Sequence, residues 1–489
     1  MFIKSDSAKP ILKSESNILR IDLRKVQFKS RTMKILSADY VLTMNQNLDC
    51  IQHGAVLIDG DRIKAVDHID KLRLRYPEVT ITHHPNSLLM PGLINTHCHS
   101  GLLRGTAEGL PVWDWLQQFI DPMHRVLTPS DAKMASYLCY AEALLSGTTT
   151  IVDMWRYMDG SAEAAQDLGI RAVLVPYVAE HPDHDYFETL KTNEALIQKW
   201  HQHASGRINV WVGLEHLFYA ESKALSRIQA LCKDYQTGFH THSNESQFDV
   251  SENLKRYGIR PIQSLEQLGL LDVPQCLLAH CVWVDSQEID ILKQYNVGVA
   301  HNPISNMKLA SGAAPISEML NKGVAVGLGT DGEKENNNLD MFEEMKTASL
   351  LAKFSNLDAS ALDSWSICQM ATRQGAKALG MEQSIGSLEV GKCADIIAVN
   401  IATPRMTPLI DHGRLFNLHT NLVHAVQGQD VHMTMVAGKV VVEHGKLINA
   451  DLQMLIDQVN HAAPLLFKRR DQWFADQGQV VNELQRVDV

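Results

Sequence analysis

Long apolar runs are missing from this chain: nothing in its 489 residues reaches transmembrane length. The opening MFIKSDSAKPILKSESN is polar and lacks the apolar core of a signal peptide, so the expected location is the cytoplasm. Cysteine is sparse and dispersed. Its eight residues form no Cys-x-x-Cys pair and no dense framework, which excludes a disulfide scaffold and suits reduced thiols. Positive charge is short as well, with 45 Lys and Arg against 56 Asp and Glu and a net charge of −11. Nucleic-acid binders usually carry a basic face. The expected partner is therefore a small neutral or cationic molecule, with no nucleic acid and no membrane.

What remains is 45% hydrophobic and 21% charged, the composition of a globular protein long enough to bury a large core. Residues 1–33 read as a polar extension without periodicity. Residues 34–90 hold short strand-like runs, ILSADYVLTM, GAVLIDGDRIKAV and VTITHH, broken by Asn, Asp and Gly. Over residues 91–385 apolar runs alternate with amphipathic helical stretches. With the lead-in at 88 the runs are LLMPGLINTHCH, TTTIVDM, RAVLVPYV, INVWVGLEH, TGFHTHS, CLLAHC, VGVAHNP and VAVGLGTD. Apolar strands alternating with helices predict parallel β/α units, and eight of them predict a (β/α)8 TIM-type barrel. Residues 386–447 return to short strands, completing a small β-sandwich domain built from both chain ends. Residues 448–489 are expected to form a helical segment packed outside.

The first run ends in His97-Cys98-His99. In a strand, residues i and i+2 face one side, so both imidazoles point together and Cys98 points away. Twenty-two histidines produce about one His-x-His by chance, and this chain has three, so the pair gains weight only from other strand ends. Those ends carry His242 followed by Glu245, then His280, Asp331 and His216, and barrels of this kind gather their chemistry from several strand ends at one rim. His201 and His203, in the polar IQKWHQHASGR, read as a solvated helix end. His240 lies deeper on the face of His242 and reads as core or as support for a ligand.

His97, His99, His242 and Asp331 suit one divalent ion, Zn2+ foremost with Fe2+ or Mn2+ as alternatives, and leave a position open for water. Such an ion makes hydroxide available near neutral pH. Asp331 can accept the water's proton and His280 can hydrogen-bond the developing oxyanion. Glu245, three residues past a ligand, can shuttle a proton to a ring nitrogen. Glu215 and His216 alternate, so only one is expected to face inward, and His216 is favoured as a substrate contact. Trp113, Trp155 and Tyr219 are candidates to stack on a planar ring. The chemistry expected is hydrolysis at an electrophilic carbon.

The motifs PGLINTHCH, LLRGTAEGLPVWDWL, SGTTTIVDM, HSNE, LAHCVW, HNPISNMKLASGAAPI, GLGTDGEKENNNLDMFEEM and LVHAVQGQDVHMTMVAGK go further together than singly. Through them the chain resembles the amidohydrolase superfamily, in the branch of 5'-methylthioadenosine/S-adenosylhomocysteine deaminases and triazine hydrolases, over about residues 34–446. The resemblance implies metal ligands at His97, His99, His242 and Asp331, proton transfer by Glu245, water orientation by His280, a base contact from His216, and a homodimer or larger assembly. Two-metal barrel hydrolases often bridge their ions with a carboxylated Lys ending the fourth strand; INVWVGLEH has no Lys, so one ion is expected. The departures bear on substrate. A ribose-binding Glu of the family aligns with His124, an Arg with Tyr177, and a small residue after the metal Asp with Glu335, while a second Arg has no counterpart. The expected function is metal-dependent deamination of an aromatic N-heterocycle with release of ammonia. The alternatives are a triazine-type hydrolase, a free purine or pterin deaminase, and a silent barrel kept as a binding module.

Overall fold

The computed structural model describes residues 33–106 and 108–478; apart from Met33, the polar extension expected at the start lies outside them. The first strands are β1 (Met33–Leu42), β2 (Cys50–Gln52), β3 (Gly54–Asp59), β4 (Arg62–His68) and β5 (Thr80–Pro91). Next come β6 (Leu93–Cys98), β7 (Thr148–Trp155), β8 (Arg171–Pro176), β9 (Ile208–Val210), β10 (Val212–Leu214), β11 (Gly238–Ser243), β12 (Gln275–His280), β13 (Gly298–His301) and β14 (Ala325–Leu328). The last are β15 (Ile396–Asn400), β16 (Val431–Val436), β17 (Lys439–Glu443) and β18 (Lys446–Leu447).

Strands β6 to β14 pair in parallel around a ring, with β14 returning to β6 through Leu328 and Asn95. β9 and β10 are two halves of one stave interrupted at Trp211, whose N–H still donates to Leu174 O at 2.9 Å. Eight staves result, alternating with helices such as Pro129–Leu145, Ser222–Tyr235 and Ser286–Gln294. The staves are buried along nearly their whole length, as strands covered on both faces must be. Cys98 points outward, its Sγ 3.6 Å from that of Cys139 on the Pro129–Leu145 helix.

One expectation needs correction. The run at 88–98 is not one barrel strand, because Leu88–Pro91 closes β5 and pairs with β15 in another sheet. Gly92 marks the break, and a Cβ there would sit 2.1 Å from the Thr149 hydroxyl.

The second sheet runs β18-β17-β16-β15-β5-β1-β3-β4, with β2 beside β1, so both chain ends build it. Its strands alternate, with irregularities at Ala38/Tyr40, Leu57/Ile58, Ala398/Val399 and Thr434/Met435. Leu36, Val56, Leu89, Ile396 and Met433 form a core of its own, while Leu88, Met90, Ile397 and Val399 join the barrel's core. A buried ion pair ties the two parts: Arg171, first residue of β8, holds Asp395 through Nε at 2.9 Å and through a second nitrogen at 3.1 Å. The C-terminal helix Leu452–Asp476 packs against the helices Asp121–Val126 and Pro129–Leu145.

Candidate active site

Three imidazoles and a carboxylate converge at the carboxyl rim of the barrel. Asp331 Oδ1 lies 3.4 Å from His97 Nε2 and 3.2 Å from His99 Nε2, and His99 Nε2 lies 3.3 Å from His242 Nε2. All four residues are buried. The other ring nitrogen of each histidine is committed. His99 Nδ1 donates to Met154 O at 2.7 Å, His242 Nδ1 donates to Glu215 O at 2.8 Å, and His97 Nδ1 faces His240 Nε2 at 2.8 Å. His240 in turn donates from Nδ1 to Leu277 O at 2.9 Å, so its Nε2 accepts from His97. Every Nε2 therefore carries a bare lone pair, and that of His97 has no hydrogen-bond partner. Bare lone pairs facing each other at such distances in a buried site call for a cation.

The charge states agree. Burial pushes the imidazoles of His97, His99 and His242 down, keeping them neutral as metal ligation requires. Burial works against the ionised form of Asp331, but the imidazoles of His97, His280 and His99 around it outweigh that and hold the carboxyl well below its usual range. Asp331 also accepts from Ser305 Oγ at 2.7 Å and from Gly332 N at 2.9 Å. The donor set is that of a divalent-metal site.

Backbone geometry places several of these groups. β14 stops at Leu328, and Asp331 sits three residues beyond it with φ +60, a left-handed turn that brings its carboxylate back over the barrel. His280 (φ 73) and Asn244 (φ 54) share that uncommon conformation beside the site. His280 Nδ1 donates to Asn306 Oδ1 at 2.9 Å, leaving Nε2 3.8 Å from Asp331 Oδ2 and 3.7 Å from Glu245 Oε2. Burial, with the charges of Asp249 and Asp331, raises the Glu245 carboxyl well above the ordinary range and holds it protonated.

Glu215 and His216 overturn the alternation argument. β10 ends at Leu214, and both side chains beyond it reach the site. His216 Nδ1 lies 2.5 Å from Glu215 Oε2, and its ring stacks on His242 at 5.1 Å. Burial opposes its charge, but Glu215 and then Asp249 prevail and push His216 up to about 9.

The departing positions gather on another wall. Tyr177 meets His99 edge-on at 5.5 Å, donates to Glu215 Oε1 at 3.4 Å, and packs against His124 at 5.3 Å. His124 is buried, driven well below its usual value, and also meets Trp155 at 5.5 Å. Glu335 pairs with the buried Lys334 at 3.0 Å; burial and Asp331 nevertheless raise it to about 8. Trp113 lies over His216 at 5.1 Å, whereas Tyr219 stacks on His184 at 3.9 Å, and Trp155 spends its indole N–H on Ala132 O. His201 accepts from Val210 N and His203 meets Gln166, away from the site.

Sequence reasoning passed over four residues here. Asp153, two residues before the end of β7, takes bonds from Ser100 N, Ser100 Oγ and Tyr140 Oη at 2.9, 2.7 and 2.7 Å and so anchors the turn after His99. The single acid within the buried strand TTTIVDMW was its signal. Asp249 was marked by the Ser-x-x-Asp capping pattern, and Lys334 by its place beside the metal Asp. Asn306 carried no signal of its own.

Known proteins resemble this chain along most of its length. The amidohydrolase family profile matches residues 88–441. A 5-methylthioadenosine/S-adenosylhomocysteine deaminase of Thermoanaerobacter pseudethanolicus is 37% identical over 435 residues, 88% of this chain and 98% of that protein. A 5'-deoxyadenosine deaminase of Methanosarcina mazei is 37% identical over 438 residues, covering 89% and 98%. Among solved structures, a zinc-bound adenosine deaminase from Xanthomonas campestris superposes with a TM-score of 0.83 at 29% identity, covering 89% of this chain and 98% of its own.

Proposed function

The chain belongs to the amidohydrolase family, and from that premise we propose that it is a zinc-dependent hydrolytic deaminase of an N-heterocycle, with a deoxy- or methylthio-adenosine-like nucleoside as its nearest substrate class. The observation that carries the reading is the set of three bare Nε2 atoms and one ionised carboxylate beside a protonated Glu245 and a neutral His280. The reaction replaces an exocyclic amino group by a carbonyl and releases ammonia. His97, His99, His242 and Asp331 would hold one zinc ion, which supplies Lewis acidity and lowers the pKa of water toward neutrality.

The chain's own groups do the proton work. Glu245 gives its proton to the ring nitrogen next to the attacked carbon and makes that carbon electrophilic. Asp331 takes a proton from the attacking water. His280 Nε2, between Asp331 Oδ2 and Glu245 Oε2, orients the water and steadies the oxygen as charge develops. The proton on Asp331 then passes to the departing amine, and the hydroxyl proton left on the attacked carbon's oxygen returns to Glu245 as the carbonyl forms and ammonia leaves. His216 contacts the base, and Trp113 and Phe218 close the wall beside it.

A second reading, deamination of a free base or an aminotriazine, draws on the wall of His124, Tyr177 and Glu335, where ribose-holding groups of the family are replaced. The test is ammonia release by purified, metal-analysed protein with 5'-methylthioadenosine, S-adenosylhomocysteine, 5'-deoxyadenosine, adenosine, guanine, a pterin and an aminotriazine. Turnover of the nucleosides, lost on chelation and restored by zinc, supports the first reading; turnover of free rings alone supports the second. The assembly proposed is a homodimer or larger, read by light scattering, and the proposed compartment is the cytoplasm, in keeping with the absence among the described residues of any helix long and apolar enough to cross a membrane.

A further inference from the structure

Beside the metal ligands lies a second buried cluster of His216, Glu245 and Asp249, whose ligating atoms all fall within 4.8 Å of one another. Two of those atoms have no partner: His216 Nε2 and Asp249 Oδ1, which face each other across 4.0 Å. Both residues are only 3% exposed. Asp249 is the third residue of the helix Gln247–Tyr257, and one of its oxygens, Oδ2, caps that helix by accepting from Ser246 N at 3.0 Å. The cap leaves Oδ1 idle in a buried site, an arrangement that costs free energy unless something binds there.

The surroundings indicate what does. Trp113 flanks His216 at 5.1 Å, Phe218 at 5.4 Å and Phe248 at 4.8 Å, and its indole N–H is fixed on Ser246 Oγ at 3.1 Å. An aromatic wall of this kind suits the face of a flat ring better than the polar shell of a second cation. In the proposed mechanism, Glu245 addresses the ring nitrogen next to the attacked carbon and His216 contacts the base. Asp249 stands within 4.8 Å of both residues, so a ring held by Glu245 at one nitrogen and by His216 at the next nitrogen along would turn the substituent on the carbon between them toward Oδ1.

We propose that Asp249 is a specificity-determining residue whose Oδ1 accepts an N–H from an amino group on that carbon, so that the preferred substrate carries a guanidine-like N–C(NH2)–N edge in addition to the amino group it loses. This rests on the reading of the site as a heterocycle deaminase. It narrows the class to 2-amino-substituted purines and to rings with the same edge, such as pterins and diaminotriazines.

The experiment compares 5'-deoxyadenosine with its 2-amino analogue, which differ only in the group assigned to Asp249. In the zinc-loaded wild type, kcat/KM for the 2-amino analogue should exceed that of the parent by about tenfold or more, the worth of one well-placed buried hydrogen bond. Asp249→Asn keeps an oxygen for the helix cap and replaces the idle acceptor with a donor. It should erase the preference, chiefly through KM, so that the 2-amino analogue loses about tenfold more than the parent compound. Ser246→Ala, which weakens the cap and spares Oδ1, should keep the preference. Equal kcat/KM for the two compounds in the wild type overturns the proposal, as does an equal loss for both in Asp249→Asn. So does a second tightly held equivalent of metal that disappears in Asp249→Asn. If neither compound releases ammonia, the deaminase reading has failed instead; calorimetric binding of the same pair to wild type and Asp249→Asn then decides the role of Asp249 alone.

Discussion

His97 hands its Nδ1 proton to His240 Nε2 at 2.8 Å, and His240 hands its own to the Leu277 carbonyl at 2.9 Å. A ligand's tautomer is thus set from deep in the barrel before any ion arrives. Replacing His240 with Phe removes the acceptor and frees His97 to turn or to protonate at Nε2. Metal affinity should fall by roughly 10- to 100-fold, measured by competition with a chelator, while turnover at saturating zinc stays close to that of the wild type. Unchanged affinity would show that His97 needs no such support.

Glu245→Gln keeps the shape of the side chain and abolishes its transferable proton. Turnover should drop by roughly 100-fold or more with metal content intact, read as ammonia release alongside elemental analysis. Near wild-type turnover would remove Glu245 from the proton path.

His301, at the end of β13, is buried with an unpartnered Nδ1, and burial pushes it down to about 3. The folded state keeps it neutral, whereas the unfolded chain takes up a proton near the ordinary value of about 6.5. Between those two values the unfolded state binds more protons, so stability falls as pH falls, by about 1.4 kcal/mol per pH unit for this one residue. From pH 6.5 to pH 5, His301→Gln should therefore lose about 2 kcal/mol less than wild type, measured by denaturant unfolding of zinc-loaded protein. Parallel pH profiles for the two proteins would place the acid sensitivity elsewhere.

The Arg171–Asp395 pair is almost wholly shielded, at 5% and 4% side-chain exposure. Asp395→Ala leaves a guanidinium without its counter-charge and should cost about 3–5 kcal/mol. The double change Arg171→Met, Asp395→Leu should cost clearly less than the single one. Denaturation midpoints of the two variants and the wild type test both statements, and a double variant as weak as the single would contradict the second.

The barrel was legible because covered parallel strands must be apolar throughout, and the runs ending in His99, His242 and His280 show that composition plainly. Parity alone put His97 with His99 and set Cys98 against a helix. Parity failed where strands stopped: β10 ends before Glu215, so the backbone was free to aim both Glu215 and His216 inward. It also could not show that Leu88–Pro91 belongs to another sheet, since both sheets bury that stretch. The left-handed turns at Asn244, His280 and Asp331 carry only a weak mark in residue type, since Asn, His and Asp tolerate that conformation but seldom adopt it, and bonds from distant segments hold His280 and Asp331 in place. Lys334 and Asp249 escaped notice because charged residues beside a strand end ordinarily face solvent, and only the closed rim shows these two buried.

Strand β5 is finished at Pro91, yet its neighbour β15 begins only at Ile396, about 300 residues later. At the usual rate of synthesis that is a delay of about 15 to 60 s, during which the nascent chain carries an apolar strand with an open hydrogen-bonding edge. Such edges template association between copies. Chains cut short anywhere before β15 should therefore aggregate even when most of the barrel is present, and the clasp of the two chain ends completes both a domain and the protection of the molecule from its own copies.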